Sequence, residues 1–219
     1  MGRVKVVSFD VDGTLVDYTF VNSVWFEEIP KLYAKERSVS FEKARSYVKR
    51  EYDKVGDERL EWYDIKYWFK VFNLKGNWRD VIEKCRSRVR VYPEVHEVLK
   101  SLRNFKLIII SNSPREFLDV ELDEAGIRDY FHKTFSSISD FGKIKKVGEI
   151  YLKVCKVLGI LPQEMVHVGD NFRFDFEVPR EVDVNAFYLD RNGRYEGKFI
   201  VHDLRELREI LFSGNLDRA

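Results

Sequence analysis

The sequence predicts an α/β fold: a doubly wound, Rossmann-like parallel sheet carrying an inserted α-helical segment. Three observations lead there. From Tyr92 onward, short β-branched runs alternate with helical stretches, the spacing of parallel strands joined by crossover helices. Between residues 17 and 90 the alternation stops and only the 3.6-residue period of amphipathic helices remains. Acidic or hydroxyl residues directly follow the apolar runs, where open sheets of this kind bind ligands.

The elements follow in order. Val4-Lys5-Val6-Val7-Ser8-Phe9 reads as a buried first strand ending in Asp10-Val11-Asp12-Gly13-Thr14. Residues 17–90 then read as about four helices, through apolar sets such as Trp25, Ile29, Leu32 and Tyr33, or Ile65, Trp68, Phe69 and Phe72. All four Trp (Trp25, Trp62, Trp68 and Trp78) fall in this stretch, which predicts an aromatic core of its own. The helical spacing assigns the Trp stripe to that core, with Tyr18, Phe20 or Trp25 near the hinge as pocket-lining candidates. The predicted domains are a catalytic core of residues 1–16 and 91–219 and a helical cap of residues 17–90. Beyond Tyr92-Pro93, a helix over 94–103 leads to a strand over 106–110, and Ser113-Pro114 reads as an N-cap followed by a first-turn proline. The next helix stops at Gly126, a short strand lies near Thr134-Phe135, and the helix over 147–158 closes at Gly159. Strands over 165–168 and 186–189 end at Gly169-Asp170 and Asp190, and a helix over 204–212 follows.

Composition narrows the function. Lys and Arg number 38 against 37 Asp and Glu, a net charge of +1 that lacks the basic excess of a nucleic-acid binder. The longest apolar run, Leu107 to Ile110, is far short of the ~20 residues that span a bilayer, and residues 1–5 lack a signal-peptide apolar region. Cys85 and Cys155 are isolated thiols without metal-type spacing, which points to a reducing cytoplasm. A charged fraction of 34% with a single Gln hints at a thermophilic source. The four histidines are scattered, and His167 inside an apolar strand reads as a hydrogen-bonded core residue.

The residues at the predicted strand ends are Asp10 and Asp12, Ser111 and Asn112, and Asp170. Carboxylates gathered so closely repel one another unless a positive group intervenes, which calls for a hard divalent cation, Mg²⁺, and a lysine. Metal, hydroxyl and backbone N–H groups together suit the oxygens of a phosphate.

These motifs resemble those of the haloacid dehalogenase superfamily, and the resemblance covers essentially the whole chain. Asp10-Val11-Asp12-Gly13-Thr14-Leu15 resembles its first motif and Ser111-Asn112 its second; Lys145 falls where the family places its lysine, and Gly169-Asp170-Asn171-Phe172-Arg173-Phe174-Asp175 resembles its fourth. The resemblance implies Asp10 as nucleophile, Asp12 as general acid then base, and Mg²⁺ held by Asp10, the Asp12 backbone carbonyl and Asp170. It further implies Ser111, Asn112 and Lys145 on the phosphate, with Asp175 in support. Asp12 with Thr14 favours phosphate-ester hydrolysis of a small metabolite over dehalogenation. The chain departs from the pattern at Lys146-Val147-Gly148, which leaves Lys143 and Lys146 as rivals to Lys145, and at Asp183, where the family commonly has glycine. The alternatives are a metal-independent 2-haloacid dehalogenase and a non-catalytic binding protein on the same fold.

Overall fold

The computed structural model describes residues 4–214; residues 1–3 and 215–219, at the ends of the expected core segments, lie outside the described residues, as does most of the N-terminal stretch read above for a signal peptide. β1 (Val6–Phe9) is buried along its whole length, as a strand covered on both faces must be. α1 (Thr19–Ser23) runs through a π turn at Val24–Glu28 into α2 (Ile29–Arg37). Pro30 has no N–H to offer the Phe26 carbonyl four residues back, and just before it Ile29 N–H bonds Val24 O, one residue further back than an α-helix requires.

α3 (Phe41–Val55) is capped by Ser40 and buries Ala44, Val48 and Tyr52 on one face. α4 (Leu60–Tyr63), α5 (Ile65–Val71) and α6 (Trp78–Cys85) follow, the last two capped by Asp64 and Asn77 side chains. Six helices thus stand where the periodicity predicts four, because the π turn separates α1 from α2 and Asp64, cap of both, separates α4 from α5. The chain returns beside its point of departure: Asp17 N–H bonds Arg90 O at 2.9 Å and Tyr92 N–H bonds Leu15 O at 3.1 Å.

α7 (Val95–Ser101), β2 (Lys106–Ser111), α8 (Arg115–Glu124), β3 (Lys133–Ser136), α9 (Ser137–Phe141), α10 (Glu149–Leu158) and β4 (Met165–Gly169) alternate as predicted. A second π turn, Phe172–Glu177, precedes α11 (Val178–Arg180), then come β5 (Asn185–Leu189), β6 (Ile200–Val201) and α12 (Leu204–Ser213). The six strands form one parallel sheet in the order β3-β2-β1-β4-β5-β6, which is the doubly wound α/β fold the sequence predicts. Alternate residues feed opposite faces: Val7 and Phe9 join one apolar cluster with Ile109 and Val168, while Val6 joins another with Ile110 and Met165.

Three readings change. Trp68, Tyr52 and Phe72 belong to the same apolar cluster as Val7 and Phe9, so the helical segment's core is continuous with the sheet's. Pro114 occupies the cap position of α8 with ψ 152°, and Ser113 turns its hydroxyl inward to Glu121. β6 pairs through only two residues, too short to leave a periodic signature. Both cysteines are free and buried, and no helix among the described residues is long and apolar enough to cross a membrane.

Asp183, exposed, holds φ at 62°, a conformation that costs an L-residue about 1 kcal/mol and glycine almost nothing. Asp183→Gly is therefore expected to raise Tm by roughly 2–4 °C, and Asp183→Val to lower it, in thermal unfolding followed by circular dichroism.

Candidate active site

The parallel register aligns the carboxyl ends of β1, β2 and β4, since Phe9 lies opposite both Ile109 and Val168. Asp10 continues the ladder by donating its N–H to Val168 O at 3.0 Å, and its side chain emerges at the sheet edge with those of Asp12, Ser111, Asn112 and Asp170. Carboxylate oxygens of Asp10, Asp170 and Asp175 lie within 4.8 Å of one another.

Lys145 supplies the positive charge. Its ammonium, almost fully buried, donates to Asp10 Oδ1 at 2.8 Å, Asp175 Oδ1 at 2.6 Å and Ile110 O at 3.0 Å, so all three N–H bonds are used. Asn112 fixes the loop that delivers it, because its Oδ1 accepts Lys145 N–H at 2.9 Å and Ser137 Oγ–H at 2.6 Å. The rival lysines point elsewhere: Lys143 pairs with Glu149, and Lys146 donates to the Glu58 carbonyl at 2.9 Å.

Asp175 is placed by the second π turn. Val178 N–H reaches back five residues to Arg173 O just before Pro179, whose missing N–H would have faced the Asp175 carbonyl. Gly169 makes room, since a Cβ there would stand 2.4 Å from the Asp175 carboxyl carbon. His167 Nε2 lies 3.1 Å from Asp175 Oδ1 and its Nδ1 lies 2.9 Å from Ser8 Oγ, the core role predicted for it. Burial alone would raise the Asp175 carboxyl, but Lys145 and His167 outweigh it and hold the group at about 2. Burial likewise works against the Lys145 ammonium, and Asp10 with Asp175 reverse that and push it up.

The remaining carboxyls are driven the other way. Burial raises Asp10 despite Lys145; burial and the charge of Asp10 push Asp170 up to about 8. Asp12 is raised well above the carboxylate range by burial and by Glu121, a fully buried residue on α8 whose own carboxyl burial pushes up to about 7. Asp12 Oδ1 and Glu121 Oε1 are buried with no donor aimed at them, a deficit that a proton on either carboxyl would relieve.

Several members of the site leave no motif in the sequence. Arg191 grips the loop after β1 from behind, donating to Gly13 O at 3.2 Å and Thr14 O at 2.7 Å while pairing with Glu94 at 2.6 Å. Gly13, at φ 75°, lets that loop pass Asp170, whose Oδ2 would stand 2.1 Å from a Cβ. Tyr18 donates its hydroxyl to Asp170 Oδ2 at 2.5 Å, and Ser111 Oγ accepts Ser113 N–H at 3.1 Å. Glu121 occupies an inward position of an amphipathic helix, where an apolar residue is the norm; that break in pattern was its one available signal.

A cavity of about 290 Å³ opens above these groups, walled by Trp25, Phe26, Trp62, Tyr63 and Phe117. Trp25 and Trp62 therefore line the pocket rather than only filling a core, while Phe20 is fully buried against Phe117 and does not reach it. Trp68 is core, as predicted.

The donor set suits a hard divalent cation: all oxygens, all carboxylate, with two of the three groups displaced toward the protonated form by crowding and burial. Asp10 and Asp170 each give one oxygen to a neighbour, Lys145 and Tyr18, whereas Asp175 has both engaged, Oδ1 with Lys145 and His167 and Oδ2 with Asn171 N–H at 3.1 Å. The Asp12 carboxylate is not part of this cluster; the resemblance assigns only its backbone carbonyl to the metal.

A family model described as haloacid dehalogenase-like hydrolase matches residues 4–183. The chain is 24% identical to a GMP/IMP nucleotidase of Escherichia coli over 77% of its own length and 75% of that protein's. It is 26% identical to a glyceraldehyde 3-phosphate phosphatase of Pyrococcus furiosus, covering 96% of this chain and 94% of that one. A crystal structure of an HAD phosphatase from Thermococcus onnurineus superposes with a TM-score of 0.84 at 27% identity, covering 99% of this chain and 100% of that one.

Removing the lysine from between two buried carboxylates leaves both uncompensated, a loss of about 3–5 kcal/mol. Lys145→Met is expected to lower the urea midpoint accordingly, and the double variant Lys145→Met/Asp175→Asn to recover part of the loss.

Proposed function

We propose, for a chain that belongs to the haloacid dehalogenase-like hydrolase family and is a phosphoric monoester hydrolase within it, that the site removes the phosphoryl group of a small metabolite with Mg²⁺ and through an aspartyl-phosphate. The observation that carries this reading is the division of labour between two carboxyls two residues apart. Asp10 faces Lys145 at 2.8 Å, whereas Asp12 turns to Glu121 and is pushed well above the carboxylate range. One is held beside a positive charge, the other is kept able to carry a proton.

In this mechanism the Asp10 carboxylate attacks phosphorus, an oxygen–phosphorus bond forms, and the bond to the leaving alcohol breaks. Lys145 lowers the repulsion between that carboxylate and the anionic phosphoryl group. Protonated Asp12 gives its proton to the departing oxygen, then takes one from the water that attacks the acyl phosphate, which releases phosphate and restores Asp10. Ser111 Oγ and the Asn112 amide N–H₂, left over when Asn112 Oδ1 is used structurally, bind phosphoryl oxygens. Asp10, the Asp12 carbonyl and Asp170 are the proposed Mg²⁺ ligands; the ion, when bound, supplies Lewis-acid stabilisation of the phosphoryl charge. Asp175 is a positioning residue for Lys145.

The helical segment over 17–90 is proposed to act as a cap, carrying Trp25, Trp62 and Tyr63 over the catalytic edge. Such a roof suits a small substrate, and the names of both curated relatives denote phosphatases of small molecules. A metal-independent dehalogenase would have no use for Asp170 or for a protonated Asp12, and a non-catalytic binder none for the carboxylate excess.

Hydrolysis of p-nitrophenyl phosphate in Mg²⁺ is expected to stop with EDTA and to fall at least about a thousandfold in Asp10→Asn. Asp12→Asn is expected to lose about 10²- to 10⁴-fold, the usual worth of a general acid–base group. Release that persists at the wild-type rate in Asp10→Asn contradicts the mechanism.

A further inference from the structure

The cavity is unlike its own catalytic floor. Among the described residues that line it, Lys145 alone is basic, and that ammonium spends its three bonds on Asp10, Asp175 and Ile110 O. On the side away from the sheet the walls are rings: Trp25, Phe26 and Trp62 each set an edge or face against Tyr52, with centroids at 5.8, 5.9 and 6.0 Å, and Trp25 stacks on Phe117 at 5.3 Å. These mutual contacts hold the rings in place before any ligand arrives. The charged group at this end is Asp57, an exposed acid at the mouth, and Asn22 adds a neutral amide. The neighbouring cations are turned away: Lys146 toward Glu58 and Arg173 toward Glu177 and Glu181.

Resting on the phosphatase reading, we infer that the leaving alcohol carries a flat, uncharged ring that lies between the walls of Trp25, Trp62 and Phe117, and that Asp57 rejects alcohols bearing a second anionic group. The ring faces offer offset-stacked and edge-to-face partners to another ring and little that is specific to an aliphatic chain. A carboxylate or second phosphate on the alcohol would lose its water against aromatic walls, meet no cation, and face Asp57. The volume of about 290 Å³ sits at the lower end of small-molecule pockets, at ~300 Å³, and suits a phosphoryl group with one or two rings.

Benzyl phosphate, propyl phosphate and phosphoglycolate test this, because their leaving alcohols are similar in acidity and differ in ring and charge. The inference expects kcat/KM for benzyl phosphate to exceed that for propyl phosphate by about tenfold and that for phosphoglycolate by about a hundredfold. In Trp62→Ala the benzyl-to-propyl ratio should collapse toward one. In Asp57→Lys, an exposed substitution that leaves the packed rings alone, phosphoglycolate turnover should rise at least about fivefold. Phosphoglycolate turned over as well as benzyl phosphate by the wild type, or a benzyl preference untouched in Trp62→Ala, overturns the inference while leaving the phosphatase reading intact. Turnover of none of the three in Mg²⁺ removes that reading, and this inference with it.

Discussion

The Lys145 ammonium, buried between the carboxylates of Asp10 and Asp175, is the interaction on which the site depends. A buried ion pair is stable only if every donor and lone pair around it is matched, and here the matching recruits residues from across the chain. Asn112 just past the end of β2 pins the lysine's backbone; Ile110 O takes the third proton; His167 on β4 meets the same Asp175 oxygen as the lysine, and Asn171 N–H donates to the other. Each requirement fixes a strand end relative to its neighbours, so the geometry that neutralises the lysine also sets the spacing of Asp10 from Asp170.

Local departures from ideal helix serve the same end. Both π turns end just before a proline, at Ile29-Pro30 and Val178-Pro179, and both bring side chains to the cavity: Trp25 and Phe26 from one, Phe174 and Asp175 from the other. Widening the ladder by one residue shifts the direction in which the following side chains leave the helix. Gly13 under Asp170 and Gly169 under Asp175 are steric partners of the carboxylates rather than loose joints.

What was legible in the sequence divides along physical lines. Strand ends announce themselves, because a buried apolar run followed by Asp or Ser is a pattern of adjacent residues; Asp10, Ser111, Asn112 and Asp170 were found that way. Lys145 and Asp175 needed a family resemblance, since a lone lysine among three says nothing of which one turns inward until the pairs of Lys143 with Glu149 and Lys146 with Glu58 are known. Glu121 and Arg191 leave no local signal because they act across the fold, on Asp12 and Gly13 far away in sequence; Tyr18 lines the pocket as the sequence suggests, but its bond to Asp170 is a long-range contact that no local pattern shows. Periodicity located the helical segment but could not separate rings that fill a core, such as Trp68, from rings that wall a cavity, such as Trp25 and Trp62. The two π turns could have been suspected only from a proline inside an otherwise helical pattern.

The most direct test of the account is the covalent intermediate itself. Protein quenched in acid during steady-state hydrolysis, then digested and analysed by mass spectrometry, should carry one phosphoryl group on the peptide containing Asp10. The adduct should vanish in Asp10→Asn and accumulate in Asp12→Asn, where the hydrolytic water loses its base. Phosphate found on another residue, or none found while wild-type turnover proceeds and Asp12→Asn traps nothing, would contradict the assignment of Asp10 as nucleophile.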